Sequence, residues 1–365
     1  MRMDRTESFW DKVHLDPLLL AGTLALLVAG LGILHSASGS NDALVLRQGV
    51  HMLIGLAVMV TIAQVPPEAL SRVAPALYVA GLLLLLLLFV LGTGRGTRRW
   101  FDLGIIRFQP SELMKLAVPL ICARLFAAGN LPPTLARIGI ACMFIALPAL
   151  LIAKQPDLGT ATLIAAAGAI SIFLAGLQVR YIFWSVIGGL LSLVPLWGLL
   201  HDYQRQRVLT LLDPEKDPLG AGYHIIQSVI AVGSGGLFGK GWLNGTQSRL
   251  EFLPERHTDF IFAVICEEFG FVGAMALIAA YLLVVVRGLQ IAAGAQDTFG
   301  RLLAATLSLT LFVYVFVNTG MVIGQLPVVG VPLPLVSYGG TSLVTLLAAF
   351  GILMSVHTHR KRLSF

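Results

Sequence analysis

Leu250-Glu-Phe-Leu-Pro-Glu-Arg-His-Thr-Asp259-Phe-Ile-Phe-Ala263 is the stretch in which a long polar segment runs into an apolar helix. An ionised carboxylate at the mouth of a membrane helix gives up hydration that its apolar neighbours cannot replace, so such a residue marks a functional site by default. Asp259 is therefore the first residue to explain, and the chain around it supplies the setting.

Of 365 residues, 57% are hydrophobic and 12% charged. Apolar runs of about 20 residues, the length that crosses a bilayer as a helix, recur along the whole chain without a polar stretch large enough for a soluble enzyme domain. The fold class is all-α: one polytopic membrane domain over residues 1–365. Ten helices are predicted, over 17–37, 44–64, 73–92, 112–128, 134–153, 158–176, 180–200, 259–287, 300–324 and 336–356. A large extracytoplasmic loop, 201–258, separates the seventh and eighth. Glu112, Lys115 and Arg124 interrupt the short fourth span. If it only lies in the interface, nine helices remain and every later loop changes side.

Basic residues favour the cytoplasmic side, which puts the tails 1–16, with Arg2, Arg5 and Lys12, and 357–365, with Arg360, Lys361 and Arg362, in the cytoplasm. An even number of helices agrees. The 25 Lys and Arg nevertheless divide almost evenly between the two sides. The outer excess sits between Arg95 and Lys115 and in 201–258. Long loops cross regardless of charge. The shorter cluster is either a solvated loop or a seat for an anionic head group such as a lipid-linked phosphate.

Cys122, Cys142 and Cys266 lie in apolar spans and have neither disulfide nor metal-ligand spacing; packing roles are expected. In the long loop, the amphipathic stretch Tyr223 to Val232 predicts an interfacial helix. A tight turn should follow in Gly233-Ser-Gly-Gly-Leu-Phe-Gly-Lys-Gly241, ahead of Trp242. This run is not a nucleotide loop: Ser234 replaces the first glycine of that motif, and Gly241 the Ser or Thr after its lysine. Gly92-Thr-Gly-Arg-Gly96 lacks the strand a dinucleotide site requires. No soluble cofactor and no nucleic acid are expected.

Ser111 is a candidate cap for the fourth span. Glu112 and Lys115, three apart, share a helix face. They form either a structural ion pair that hides both charges or a device holding Lys115 toward a phosphate. Asp157, in Lys154-Gln-Pro-Asp157-Leu-Gly-Thr160, suits an N-cap, while its polar neighbours suggest more than capping. In an uninterrupted eighth span, Glu267 and Glu268 would lie roughly 12 to 13.5 Å deeper than Asp259, on different faces. Gly330-Val-Pro-Leu-Pro-Leu-Val-Ser337-Tyr-Gly-Gly-Thr-Ser342 predicts re-entrant or extended backbone, tolerated at membrane depth only against protein or a cavity.

Pro254 to Phe262, Phe108-Gln-Pro-Ser-Glu112, Gln155-Pro-Asp-Leu-Gly159 and Pro332-Leu-Pro-Leu-Val-Ser-Tyr-Gly-Gly340, four separated motifs in order, resemble the shape, elongation, division and sporulation (SEDS) family over essentially the whole chain. The run His201 to Arg207 with Asp213-Pro-Glu is more similar to its rod-shape branch than to its division branch. The resemblance implies glycosyl transfer on lipid II at the outer face of the bacterial inner membrane. It carries the family's essential aspartate onto Asp259, and other functional positions onto Glu112, Lys115, Asp157 and Trp100. It also implies a class B penicillin-binding transpeptidase partner, with MreC and MreD of the elongation complex.

Forming a β-1,4 bond requires a hydroxyl to attack a sugar carbon as pyrophosphate leaves, and Asp259 is placed as the base. Lys115 and the arginines of the 95–107 and 205–207 clusters, Arg205 and Arg207 among them, are candidates to neutralise the pyrophosphate, with or without a divalent cation, Mg or Mn. Arg256 and His257 flank the base, and Ser337 completes the candidate substrate-binding set; nascent glycan and membrane lipid are the other expected partners. A lipid II flippase or a non-catalytic scaffold for the transpeptidase are the alternatives. No internal repeat of the transporter kind is evident, and a scaffold has no need of Asp259.

Overall fold

The computed structural model describes residues 9–92, 99–102, 107–178, 180–181, 183–184, 187–189, 191, 197–198, 202–216, 220–250, 252–253 and 255–359. In chain order its helices are α1 (Phe9–Lys12), α2 (Pro17–Ala37), α3 (Asp42–Ala63), α4 (Pro67–Leu91), α5 (Pro110–Ala127), α6 (Leu135–Lys154) and α7 (Leu158–Leu174). There follow α8 (Asp202–Leu212), a 3-10 turn at Pro214–Lys216, α9 (Ala221–Ser234), α10 (Thr246–Arg249), α11 (Ile261–Ala293), α12 (Thr298–Val322) and α13 (Gly340–Thr358). A two-stranded antiparallel hairpin, β1 (Phe101–Asp102) with β2 (Arg107–Phe108), leads into α5.

Among the described residues seven helices, α2, α3, α4, α6, α11, α12 and α13, are long and apolar enough to cross a membrane, and α7 adds an apolar helix of 17 residues. The protein is a multi-pass membrane protein. Local chemistry sets the helix starts. Asp16, Asn41, Asp157 and Asp297 each cap a helix by accepting a backbone N–H, and proline occupies the first turn of α2, α4 and α5. About half of the predicted span 180–200 falls outside the described residues, as do residues 93–96 of the first glycine run.

The fourth span is an interior helix. α5 packs against α4, α6, α7, α12 and α13, and its Met114, Ala117, Val118 and Phe126 are wholly buried. Its 18 residues rise about 27 Å, close to the hydrocarbon thickness. Facing protein on all sides, it can carry charges that lipid would not accept; Arg124, for example, donates to the Ser71 carbonyl. Ser111 is not its cap: the N-cap is Gln109, and Ser111 is buried in the first turn. Cys122 and Cys266 are buried as packing residues, but Cys142 is exposed on the outside of α6.

α4 begins at Pro67 instead of 73, and two further spans differ in form. α13 begins at Gly340 instead of 336, because Pro332, Pro334 and the extended Gly339 keep the preceding backbone out of a helix. α11 is broken at Gly270, whose φ of 64° and ψ of −162° are non-helical. Glu268 accepts a hydrogen bond from Ser36 Oγ, one residue before the end of α2. It therefore lies level with a helix end, not at mid-bilayer as an uninterrupted span would place it.

At the opposite end of the bundle, Asp16 at the start of α2 pairs with Arg287 of α11 and His357 of α13. The start of the first span and the end of the last thus lie on one face. On the other face, α9 covers α11 and α12, with Ser228 Oγ donating to the Val322 carbonyl at 2.6 Å. The long loop is folded structure, anchored also by Trp242 Nε1 on the Gly32 carbonyl at 3.2 Å.

Candidate active site

Asp259 stands at the end of a turn, residues 255–260, that opens directly into α11. Tertiary contacts hold this turn from two sides. Asn318 of α12 donates its side-chain amide to the backbone carbonyls of Asp259, at 2.9 Å, and Val331, at 2.7 Å. Ser337 Oγ donates to the Thr258 carbonyl while accepting Leu333 N–H at 2.8 Å, and Tyr338 N–H donates to the His257 carbonyl at 2.9 Å. The irregular 330–339 segment is thus a bracket for the aspartate. Gln48 of α3 ties it down in turn, through Ser337 O at 3.2 Å and Gly339 N–H at 3.3 Å. Ser337, expected at the substrate, spends both its hydrogen-bonding roles on backbone.

Gly330 lies under the carboxylate: a Cβ there would stand 3.4 Å from Asp259 Oδ2, and its φ of 71° is one that side chains disfavour. Among the described residues no group hydrogen-bonds the Asp259 carboxylate. Burial raises its pKa to about 6; Glu255 and Asp157 push the same way, and Arg207 opposes them.

Asp157 connects this carboxylate to a buried cation. As cap of α7 it accepts Thr160 N–H at 3.2 Å, and its other oxygen accepts Gln109 Nε2 at 3.2 Å. It lies within electrostatic reach of both Asp259 and Lys115. Lys115 Nζ is 2.6 Å from Glu112 Oε1 and 5.5 Å from the Tyr314 ring centre. Arg99 fixes the adjoining turn, donating Nε to Gln155 O at 2.9 Å and a second bond to Pro156 O. Glu112, Lys115, Thr310, Tyr314, Ser342 and Thr345 line a cavity among α5, α12 and α13; Ser342 and Leu346 connect it to the pocket beneath the bracket.

The other expected site residues are placed differently. Arg207 acts on Asp259, but Arg205 donates to the carbonyls of Trp197, at 2.9 Å, and Gly198, at 2.8 Å. The Arg256 guanidinium reaches toward Gly39 in the turn between α2 and α3. The His257 ring packs edge-on against Tyr338 at 6.2 Å, and Trp100 is half-buried immediately before β1. Arg99, expected in the 95–107 cluster as a partner for the pyrophosphate, is committed to the Gln155 and Pro156 carbonyls, while Asn318, Gln48 and Gln109 have no place among the expected site residues. Asn318 and Gln48 carry a sequence signal, an amide inside an apolar span. Among the described residues no group of three or more His, Cys, Asp or Glu is placed to hold a metal.

Residues 15–362 match the FtsW/RodA/SpoVE family of cell cycle proteins. The chain belongs to this family. The FtsW/RodA/SpoVE signature thus covers all three elements that hold Asp259: α11, α12 and the 330–339 bracket. The chain is 58% identical to the peptidoglycan glycosyltransferase MrdB of Escherichia coli K12, over 98% of this chain and 97% of that one. It is 36% identical to the stage V sporulation protein E of Bacillus subtilis 168, over 96% and 99%. Among solved structures, it resembles a chain from work on structural coordination of polymerization and crosslinking by a peptidoglycan synthase complex (TM-score 0.83, 34% identity, 95% and 99% coverage). It also resembles the rod shape determining protein RodA of Thermus thermophilus (TM-score 0.73, 31% identity, 95% and 98% coverage).

Proposed function

We infer that this chain polymerises lipid II into β-1,4 glycan, with Asp259 as the general base. It is a peptidoglycan glycosyltransferase of cell elongation. The observation that carries the reading is the Asp259 carboxylate: backbone-clamped, without a hydrogen-bond partner among the described residues, and across Asp157 from the buried Lys115. A base with a pKa of about 6 is mostly ionised at neutral pH yet basic enough to take a proton in the transition state.

In the step proposed, the acceptor's 4-hydroxyl oxygen attacks C1 of the donor sugar and its proton passes to Asp259. The bond from C1 to the pyrophosphate oxygen breaks on the opposite face, which inverts the anomeric centre and releases undecaprenyl pyrophosphate. Lys115 and Arg207 are the cations placed to stabilise the departing charge. A divalent cation, Mg or Mn, would share that neutralisation, with Asp157 as the acidic side chain between the two charged groups.

The active site faces the periplasm from the bacterial inner membrane, with both tails cytoplasmic. A class B penicillin-binding transpeptidase is the partner, within an assembly that includes MreC and MreD. Reconstitution of the purified chain on lipid II, with and without the transpeptidase, tests the function. Glycan polymer from wild type and none from Asp259→Asn is expected. Polymer from Asp259→Asn at the wild-type rate removes the base assignment, and lipid translocation without polymer favours a flippase.

A further inference from the structure

The glycine run 233–241 has no part in the chemistry above, yet it is built into the break in α11. Where the helix fails at Gly270, Phe271 N–H donates to Gly236 O at 2.9 Å and Val272 N–H to Leu237 O at 3.1 Å. In return, Lys240 N–H donates to Glu267 O at 3.0 Å and Gly241 N–H to Glu268 O at 2.9 Å. Four backbone groups flanking the break are thus paired with the loop, as a low-dielectric setting demands. The approach is too close for side chains: a Cβ on Gly270 would collide with the backbone of Gly239 and Leu237.

One charged contact locks the arrangement. Glu267, fully buried on its side chain, accepts at the same oxygen from Lys240 Nζ at 2.7 Å, Thr246 Oγ1 at 3.0 Å and Gln247 N–H at 2.9 Å. Lys240 Nζ also donates to Thr246 Oγ1 at 2.8 Å. Residues 261–269 therefore form a short helical arm held at two ends. Asn318 and Ser337 hold the end bearing Asp259, and the loop holds the end bearing Glu267.

We propose that Lys240 is a positioning residue for glycosyl transfer: by pairing with Glu267 it seats the glycine loop in the break at Gly270 and fixes the arm that carries Asp259. Removing the cation takes a charged partner from a buried carboxylate, which drives the arm to move or the loop to unseat. This rests on Asp259 as the base, and the test separates the two readings.

Purified Lys240→Ala, Lys240→Arg and Glu267→Gln are assayed for glycan polymerisation on lipid II beside Asp259→Asn. Lys240→Ala should lower kcat at least tenfold with KM for lipid II within twofold, and Lys240→Arg should restore most of it. An arm released toward water also relieves the burial of Asp259, so the acidic limb of the pH–rate profile should move to lower pH in Lys240→Ala. Wild-type kcat and an unmoved limb in Lys240→Ala, where Asp259→Asn is inactive, overturn the proposal alone. Activity in Asp259→Asn overturns the base assignment instead. If Lys240→Ala does not fold, Glu267→Gln carries the same reading: it keeps an acceptor for Thr246 and Gln247, and wild-type kcat and pH limb there overturn the proposal.

Discussion

Asn318, buried near the end of α12, holds the backbone carbonyl of Asp259 at 2.9 Å and does not hydrogen-bond its carboxylate. The side chain is left to the substrate while the main chain is clamped, which is how a base is held in place without being neutralised. Asn318→Leu is expected to leave two carbonyls unpaired and to destabilise the protein by roughly 1–3 kcal/mol. Polymerisation should fall by about tenfold to a hundredfold, since a displaced base loses its hydrogen-bond geometry. Thermal unfolding in detergent and initial polymerisation rates measure the two effects separately.

The raised pKa of Asp259 sets a pH dependence. A base acts when deprotonated, so the rate should climb with pH through a midpoint near 6 and level off above it. At pH 5 about a tenth of the carboxylate is ionised and the rate should fall accordingly. A rate profile on lipid II at constant ionic strength checks this; a midpoint near 4, the ordinary aspartate value, would contradict it.

Glu112 and Lys115 are expected to separate stability from chemistry. Lys115→Met alone strands a buried carboxylate and should destabilise by about 3–5 kcal/mol. Glu112→Gln combined with Lys115→Met removes both charges and should recover most of that loss. Polymerisation should stay abolished in both, because the cation facing Asp157 is gone. Recovery of activity in the double variant would reduce the pair to a structural ion pair.

Gly330→Ala places a methyl group against Asp259 Oδ2 and strains a left-handed residue. It should cost about 1–2 kcal/mol of stability and lower kcat more than the stability change explains. Moving the same substitution to Gly32, where a Cβ would meet open space, should leave kcat unchanged. The comparison is read from kcat of the two purified variants.

How far the sequence could be read is clear at individual residues. Asp157 declared itself a cap because the helix rule is local, and Glu112 and Lys115 declared themselves a pair because three residues is nearly one helical turn. Ser337 could be placed in an irregular segment, but its commitment to Thr258 and Leu333 depends on chain 79 residues away as well as 4. Lys240 stands out in the sequence only as the lysine of a run that fails a nucleotide motif. Its partner Glu267 lies 27 residues on, in another element, and no spacing rule connects them.

By itself the sequence determined most of the spanning helices, the cap at Asp157, the irregular 330–339 segment and the aspartate at a helix mouth, because hydrophobic length, helical period and proline and glycine chemistry act over a few neighbouring residues. Only the tertiary structure decided that α5 runs through the interior, that α11 breaks at Gly270, and that Asn318, Ser337 and the glycine loop converge on the arm bearing Asp259. In a bilayer, buried polar groups must find partners wherever the bundle brings them, and those partners come from helices far apart in the chain.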